Sequence, residues 1–418
     1  MDSISIKPAK LNGNIFAPPS KSMSHRAIIC ASLCNEGESI ISNVILSEDI
    51  KATIDGMRQL GAKINIFDDK GKNTLYIKKS NHKINKAFIN CRESGSTLRF
   101  LIPLGLKLAD ECIFTGSGKL VERPLDVYYK IFDQDKIQYE TENGKLPLKA
   151  RGDLLGGNYE ISGSISSQFI TGLFFTLPLL NRDSKITIND KLESKGYIDL
   201  TLDILEKFNV FIENKDYKEF IIKGNSQYKS TNYEIEGDYS QGAFFIVANE
   251  IGNNLNCMGL NENSLQGDKE IVDIINRYHA GNEEIIIDVS QIPDLVPILA
   301  VLASLKDGVK TKIINAERVR IKESDRLKAI THEMKLLGAD IEELGDGLII
   351  NGKKSLKGHA TVNSWNDHRI AMSLAMAATM CEEEIVLQDY KAVTKSYPEF
   401  WADYKLLGGK VNELNVWK

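Results

Sequence analysis

The sequence lacks the features that mark several large classes of protein. No stretch of its 418 residues reaches the roughly 18 apolar residues that a membrane-spanning helix needs. The opening segment MDSISIKPAKLNG has no apolar core of the kind found in secretory signals. The formal net charge is −5, so the chain has no general positive field for nucleic acid. We therefore expect a cytoplasmic protein that binds neither membranes nor nucleic acid.

Cysteine is also scarce, and its spacing is not that of a metal site. The six cysteines are scattered through apolar segments, and none forms the C-x-x-C pair that structural zinc sites use. We therefore predict no metal site, and reduced thiols in the core at Cys30, Cys34, Cys91, Cys112, Cys257 and Cys381.

What the sequence does contain is an internal repeat. A β-like run, a polar loop and an apolar helical run recur six times, in NIFAPPSKSMSHRAIICASL, FINCRESGSTLRFLIPLGL, YEISGSISSQFITGLFFTL, YEIEGDYSQGAFFIVAN, IIDVSQIPDLVPILAVLASL and TVNSWNDHRIAMSLAMAATM. Their helices are predicted to begin 74, 71, 73, 54 and 73 residues apart, at Ser22, Ser96, Ser167, Ser240, Asp294 and Asp367. A second helical pattern and further β-like runs follow in each repeat. We predict an α/β protein of six βαβαββ units in two domains, with one unit shortened.

The polar loops of these repeats place cations where the helices begin. Free N–H groups at a helix N-terminus bind anions, whereas Lys or Arg at that end opposes the helix dipole unless an anion is present. Any one of these residues is as readily a surface charge or a helix cap. Taken together, they predict a site for two multiply charged anions, at Lys21, Ser22, Arg26, Gly95, Arg99, Arg123, Ser166, Ser167, Gln168, Lys322, Arg326, Asp367, His368, Arg369 and Lys395.

Two carboxylates accompany these cations. Asp294 lies between prolines at the mouth of an apolar helix, where a helix cap is the alternative interpretation, and Glu323 directly follows Lys322. A carboxylate beside cations stays ionised. Two such groups in a cationic pocket could pass protons on and off a substrate.

Nine short motifs, in order along the chain, resemble one known family. They are PPSKSMSHRA, SGSTLRF, ERPLD, SSQFITGL, SKGYIDLT, IPD, VRIKESDRL, NDHRIAM and TKSYPEF. They resemble the 5-enolpyruvylshikimate-3-phosphate (EPSP) synthases, which are 3-phosphoshikimate 1-carboxyvinyltransferases of the enolpyruvyl transferase family. The resemblance runs from about residue 12 to about residue 400, nearly the whole chain.

The resemblance implies a fold and an organisation into domains. The expected fold is a two-lobed inside-out α/β barrel with six repeated βαβαββ units, three in each lobe. Lobe one is expected to combine residues 1–14 with 234–418, and lobe two to span 15–233, with the active site in the cleft. The family also implies a monomer that uses no cofactor and no metal.

The resemblance further implies a reaction. The 5-hydroxyl of shikimate 3-phosphate attacks phosphoenolpyruvate, a tetrahedral intermediate forms, and phosphate leaves. This step belongs to the shikimate pathway, which leads to chorismate and the aromatic amino acids. In this family the inhibitor glyphosate occupies the phosphoenolpyruvate position.

The resemblance assigns roles to particular residues. Asp294 is expected to be the general base and Glu323 the proton relay, with Lys21 and Lys322 bridging both substrates in catalysis. The implied contacts of shikimate 3-phosphate are Lys21, Ser22, Arg26, Ser166, Ser167, Gln168, Ser194, Tyr197, Asp294 and Lys322. The implied contacts of phosphoenolpyruvate are Lys21, Gly95, Arg99, Arg123, Gln168, Arg326, Arg369 and Lys395.

Two positions depart from the pattern of the family. Glu93 precedes the SGSTLR loop where relatives often carry Asn, and this adds a negative charge near an expected anion site. Arg318 also stands where relatives often carry Asn. Either departure could change the affinity for phosphate or for glyphosate.

Three other functions are weighed against this one. The related enolpyruvyl transferase that acts on UDP-N-acetylglucosamine uses a cysteine five residues before the Arg-Pro pair, and this chain has Gly118 there. An RNA terminal phosphate cyclase would need a histidine nucleophile and a nucleotide loop, and His368 has no Gly-rich loop beside it. A non-catalytic binding relative would be expected to lose Asp294, Glu323 or Lys21, and all three are present.

Overall fold

A computed structural model describes residues 2–69, 72–79 and 84–414 of the chain. The chain divides into two compact units. Unit 1 comprises Met1–Pro18 with Gly237–Lys418, and unit 2 is the continuous segment Pro19–Glu236. These limits lie four and three residues beyond those expected from the sequence for the two lobes.

The elements follow one another as repeated α/β segments. Unit 1 opens with β1 (Ser3–Lys7) and β2 (Asn12–Phe16). Unit 2 contains α1 (Lys21–Leu33), β3 (Ser39–Val44), α2 (Glu48–Gln59), β4 (Ala62–Asp69), β5 (Lys72–Lys79), β6 (Ile84–Asn90), α3 (Gly95–Leu108), β7 (Ala109–Thr115), α4 (Asp126–Asp135), β8 (Gln138–Glu142), β9 (Lys145–Arg151), β10 (Asn158–Ile161), α5 (Ser167–Thr176), β11 (Ser184–Ile188), α6 (Lys195–Lys207), β12 (Ile212–Lys215), β13 (Glu219–Ile222) and β14 (Asn232–Glu234). Unit 1 resumes with α7 (Tyr239–Glu250), β15 (Asn254–Met258), α8 (Ile271–His279), β16 (Glu284–Asp288), α9 (Val296–Ser304), β17 (Lys310–Ile314), α10 (Arg326–Leu336), β18 (Asp340–Glu343), β19 (Leu348–Asn351), β20 (Thr361–Asn363), α11 (His368–Ala378), β21 (Ile385–Gln388), α12 (Phe400–Leu406) and β22 (Lys410–Leu414).

The sheets repeat one topology. Within the described residues there are five four-stranded sheets, and in each the first two strands are parallel and the other two are added antiparallel. Unit 2 has the orders β14-β3-β5-β4, β6-β7-β9-β8 and β10-β11-β13-β12. Unit 1 has the orders β16-β17-β19-β18 and β20-β21-β1-β22, and a two-stranded sheet of β15 and β2. The repeated α/β units expected from the sequence are confirmed, and the two-stranded sheet corresponds to the shortened repeat.

The chain exchanges strands where it passes between units. The first repeat of the sequence groups NIFA with the helix that follows it, and the fourth groups YEIE with α7. In the structure β2 pairs with β15, and β14 pairs with β3. Grouping each opening strand with the next helix was therefore wrong at these two copies. The strand β2 belongs to unit 1 and the helix α1 that follows it to unit 2, whereas β14 belongs to unit 2 and the following α7 to unit 1.

Side-chain caps set where the apolar helices begin. Ser20, Ser94 and Ser166 accept N–H groups at the starts of α1, α3 and α5, and Asp238 and Asp367 do so at α7 and α11. Each of these helices begins within one residue of its predicted start. The repeat at Asp294 differs, because Pro293–Leu295 form a 3₁₀ turn and α9 begins at Val296.

The cysteines are free thiols, and five of the six are buried. Burial raises the pKa of Cys34 to about 11 and that of Cys112 to about 12. The interpretation of the cysteines as core thiols is therefore confirmed for these positions.

Among the described residues, no helix combines the length and apolar character that crossing a membrane requires.

Gly172 lies where α5 packs closely against α3. A Cβ at residue 172 would lie 2.3 Å from the hydroxyl of Tyr128 and 2.4 Å from the backbone oxygen of Arg99. Tyr128 donates a hydrogen bond to the same oxygen at 2.5 Å. Because a backbone oxygen cannot rotate away, a methyl group here must push the two helices apart.

Gly172→Ala is therefore expected to lower the free energy of unfolding by about 1–3 kcal/mol, the usual cost of overpacking. The shift of the urea unfolding midpoint measures it. Gly345→Ala is the control, because a Cβ there meets nothing within 4 Å. Equal midpoints for the two variants would contradict this account of the helix contact.

Candidate active site

Unit 2 contains a deeply buried guanidinium group. Arg26 is 3% exposed, and its Nε donates to Thr201 Oγ1 at 2.8 Å. Its Nη atoms donate to the backbone oxygens of Ser22 at 2.8 Å and Tyr197 at 3.2 Å. Burial lowers the pKa of Arg26 to about 10, and none of its partners among the described residues is a carboxylate. A cation buried without a counter-ion favours the binding of an anion from outside the protein.

Two further guanidinium groups converge on the start of α3. A Cβ at Gly95 would lie 2.7 Å from Nη1 of Arg123 and 3.2 Å from Nη1 of Arg99. Gln168 accepts from Arg99 Nη1 at 2.7 Å and donates from its Nε2 to Ser96 Oγ at 3.0 Å. The backbone can approach a ligand here only because residue 95 has no side chain. The structure thus brings together four residues that the sequence analysis took from three separate segments.

The remaining predicted residues of unit 2 lie at helix starts. Lys21, the first residue of α1, forms an ion pair with Asp49 at 2.9 Å. Ser166 caps α5, and the next residue, Ser167, is buried. Ser194 precedes α6 with a left-handed φ of 56°, and Tyr197 lies in the first turn of that helix.

Unit 1 holds three carboxylates around one buried guanidinium. Arg326 is 1% exposed and donates to Asp294 at 2.7 Å, to Glu323 at 2.6 Å and to Asp367 at 2.8 Å. Burial alone would lower the pKa of Arg326, but the charges of Asp367, Glu323 and Asp294 raise it above its usual value. Asp367 is completely buried, whereas Asp294 and Glu323 are 14% and 17% exposed. The last two carboxylates are therefore held in place and still open to a ligand.

Three more predicted cations belong to unit 1. Lys322 Nζ lies 3.6 Å from Asp294 Oδ1, and burial lowers the pKa of this lysine. Arg369 donates from Nη1 to the backbone oxygen of Asp294 at 3.2 Å. Lys395 donates to the backbone oxygen of Asn366 at 2.6 Å. Within the described ranges, no group of three or more His, Cys, Asp or Glu side chains is arranged to hold a metal ion.

The structure also shows the surroundings of His368 and of the two positions that depart from the family pattern, Arg318 and Glu93. His368 is buried, and its Nδ1 lies 3.9 Å from Asp367. Arg318 donates to the backbone oxygen of Ser290 at 2.6 Å. Glu93 turns toward Gly118, where a Cβ would meet its carboxylate at 2.5 Å.

Two carboxylates that contribute to these clusters were not among the residues predicted from the sequence. Asp49 is the ion-pair partner of Lys21 and follows the Ser47 cap of α2, so its only local sign was an acidic first turn. Asp268 is 5% exposed in unit 1. Burial and the negative charge of Asp294 raise the pKa of Asp268 to about 6, while Arg369 opposes the shift. No motif in the sequence marks Asp268, because its environment comes from residues distant along the chain.

These features define a class of protein. Both units are built of repeated α/β segments, and both present cations at helix N-termini, with a group of carboxylates around Arg326 in unit 1. Cations at helix N-termini are typical of sites for small anions, and carboxylates are common proton-transfer groups in such sites.

Comparison with known proteins gives the family. The family model described as EPSP synthase (3-phosphoshikimate 1-carboxyvinyltransferase) matches residues 6–404, and the chain belongs to this family. A 3-phosphoshikimate 1-carboxyvinyltransferase of Clostridium novyi is 53% identical, with all of both chains covered. One of Clostridium kluyveri is 52% identical with the same coverage. A solved EPSP synthase structure from Acinetobacter baumannii has the same fold, with a TM-score of 0.79 and 23% identity over 99% of this chain and 100% of that one.

Asp268 gives this site a dependence on pH. Its pKa of about 6 in the folded protein exceeds its ordinary value of 3.8. The folded state therefore holds the proton more tightly than the unfolded state, and the free energy of unfolding falls as the pH rises from about 4 to about 6.

Asp268→Asn has no proton to lose. The difference in unfolding free energy, variant minus parent, is expected to rise by about 2–3 kcal/mol between about pH 4 and about pH 6 and then to level off. Chemical unfolding at a series of pH values measures the difference. Asp273→Asn, which removes an exposed carboxylate of α8, is the matched control. A difference that stays flat with pH for Asp268→Asn would refute the shift.

Proposed function

We propose that this chain transfers the enolpyruvyl group of phosphoenolpyruvate to the 5-hydroxyl of shikimate 3-phosphate and releases phosphate. Membership of the EPSP synthase family supports the reaction. The observation that carries the mechanism is the group of two partly exposed carboxylates held by Arg326.

The two carboxylates divide the proton transfers. Asp294 takes the proton of the 5-hydroxyl while the oxygen attacks the central carbon of phosphoenolpyruvate. Glu323, which holds a proton when both substrates are bound, delivers it to the methylene carbon, which becomes the methyl group of the tetrahedral adduct. When the C–O bond to phosphate breaks, the leaving phosphate takes the proton from Asp294, the methyl group returns one proton to Glu323, and the double bond forms again. The hydrogen bonds from Arg326 hold both carboxyl groups in position during these transfers.

The cations bind the charged groups of the two substrates. In this proposal shikimate 3-phosphate contacts Ser22, Arg26, Ser166, Ser167, Gln168, Ser194 and Tyr197. Within the part of the chain that the structure describes, Arg26 bonds to a hydroxyl and two backbone oxygens and to no carboxylate, which supports a phosphate there. Phosphoenolpyruvate contacts Gly95, Arg99, Arg123, Gln168, Arg326, Arg369 and Lys395, and Lys21 and Lys322 contact both substrates. Cations at the leaving phosphate stabilise the charge that develops in the transition state.

The proposed enzyme also has an expected oligomeric state, cellular location and cofactor requirement. It acts as a monomer in the cytoplasm, without a cofactor or a metal. The competing activity on UDP-N-acetylglucosamine needs a cysteine at position 118. Gly118 has φ +56°, and a Cβ there would meet the carboxylate of Glu93, so a cysteine would be strained.

A phosphate-release assay tests the reaction. The purified chain is expected to release phosphate from phosphoenolpyruvate with shikimate 3-phosphate, and to release none with UDP-N-acetylglucosamine. Absence of release with shikimate 3-phosphate would refute the proposed function.

Asp294→Asn tests the role of the base. The amide keeps the shape of the side chain but cannot take the proton, so turnover should fall at least a hundredfold, the scale of general-base catalysis. Binding of shikimate 3-phosphate, measured by calorimetry, should be retained. Glu317→Gln changes an exposed carboxylate of unit 1, in the segment that precedes α10, and is the control. A rate for Asp294→Asn that matches the control would remove Asp294 from the mechanism.

A further inference from the structure

A chain of hydrogen bonds runs through the interior of unit 2 beside the proposed substrate contacts. Nδ1 of His25 lies 2.7 Å from Oγ1 of Thr53, which lies 2.7 Å from Oγ1 of Thr97. The Thr97 hydroxyl lies 2.7 Å from Oγ of Ser94. All four side chains are completely buried. None of them touches a substrate in the reaction proposed above, so the chain has no direct chemical role there.

The unpartnered nitrogen of His25 indicates which group donates and which accepts in each of these hydrogen bonds. Nε2 of His25 is buried without a hydrogen-bond partner. A buried N–H group without a partner is rarer in proteins than a buried lone pair without one. The proton therefore lies on Nδ1, which donates to Thr53, and Thr53 donates to Thr97. Burial, with the nearby charges of Lys21 and Arg26, holds the pKa of His25 well below its usual value, so the ring is neutral.

These hydrogen bonds link the N-terminal parts of α1 and α3, which bear proposed contacts, through the middle of α2. His25 is on α1 next to Arg26, Thr53 is on α2, and Thr97 is in the first turn of α3. Thr97 also lies 3.4 Å from the backbone oxygen of Asp49, whose carboxylate pairs with Lys21. The start of α1, with its phosphate contacts, is thus tied through α2 to the start of α3.

The two ends of the chain differ in how else they are held. Arg26 on α1 keeps three hydrogen bonds of its own, to Thr201, Ser22 and Tyr197. At the start of α3, Thr97 bonds to Thr53 and lies 3.4 Å from the backbone oxygen of Asp49, both on α2, and Gln168 of α5 bonds to Ser96 and Arg99. Loss of the Thr53–Thr97 bond weakens the direct tie between this turn and α2, whereas the bonds of Arg26 on α1 are untouched. We therefore expect the first turn of α3 to move more than that of α1.

We propose that His25, Thr53 and Thr97 are positioning residues that set the first turn of α3, and hence Gly95 and Arg99, for phosphoenolpyruvate. The inference rests on the proposed function, because it takes the turn of α3 as the phosphoenolpyruvate contact and α1 as a contact of shikimate 3-phosphate. It gives the buried network a role in the affinity for one substrate and not the other.

Thr53→Val and Thr97→Val break the same hydrogen bond from opposite ends and keep the shape of the side chain. Each is expected to raise the KM for phosphoenolpyruvate at least fivefold and to change the KM for shikimate 3-phosphate less than twofold. Thr53→Ser restores a hydroxyl and should return the KM for phosphoenolpyruvate to within twofold of the parent. Steady-state phosphate release with each substrate varied in turn measures these values.

Thr176→Val is the matched control. It removes a buried hydroxyl of unit 2 whose bond, among the described residues, stays within its own helix, to the oxygen of Gly172 at 3.0 Å. Both KM values should stay within twofold of the parent. Melting curves for every variant confirm that the proteins compared are folded, and the two Val variants give independent routes if one of them does not fold.

The failures are distinguishable. A parent chain without turnover refutes the proposed function and this inference with it. A turning-over parent overturns the inference alone if both Val variants keep the KM for phosphoenolpyruvate within twofold. The inference is also overturned if the KM values for the two substrates rise together, or if Thr53→Ser raises the KM for phosphoenolpyruvate as much as Thr53→Val does.

Discussion

The buried guanidinium of Arg326 is the interaction on which the organisation of unit 1 depends. It joins the 3₁₀ turn before α9, the start of α10 and the start of α11, because Asp294, Glu323 and Asp367 all bond to it. Burying an ion is costly, and only close partners repay that cost. Removing a partner of a buried pair typically costs about 3–5 kcal/mol. The geometry of the proposed acid and base is therefore fixed by the same contacts that stabilise the packing of three segments.

Unit 2 uses charge in the opposite way. Arg26 is buried among a hydroxyl, two backbone oxygens and the faces of two aromatic rings, at 5.3 Å from the ring centroid of Phe100 and 5.7 Å from that of Tyr197. Neutral partners of this kind hold the side chain in position but do not neutralise it. One unit thus surrounds its central cation with carboxylates, whereas in the other the hydrogen-bond partners of the central cation, within the described residues, are neutral.

The sequence predicts the local parts of this arrangement well. Helix starts follow from capping side chains that act within one turn, so five of the six repeated helices begin within one residue of the position that the pattern indicates. Cations at those starts are also visible as a pattern. The exceptions depend on distant partners: the pairing of β2 with β15, the ion pair of Lys21 with Asp49, and the environment of Asp268. No periodicity in the chain encodes these contacts, because they arise only when separate segments pack.

The strand β1 has a consequence for the order in which the chain can fold. Its residue Ser3 pairs with Gln388 and Leu414, so that sheet of unit 1 cannot close until nearly the whole chain has left the ribosome. Unit 2 is a continuous insertion, and its ends are joined where the N–H of Ser20 donates to the oxygen of Glu236 at 2.8 Å. Once unit 2 has formed, the 218 residues from Pro19 to Glu236 act as a short link. The entropic cost of closing so long a loop therefore arises when unit 2 folds, before β1 pairs with β21 and β22.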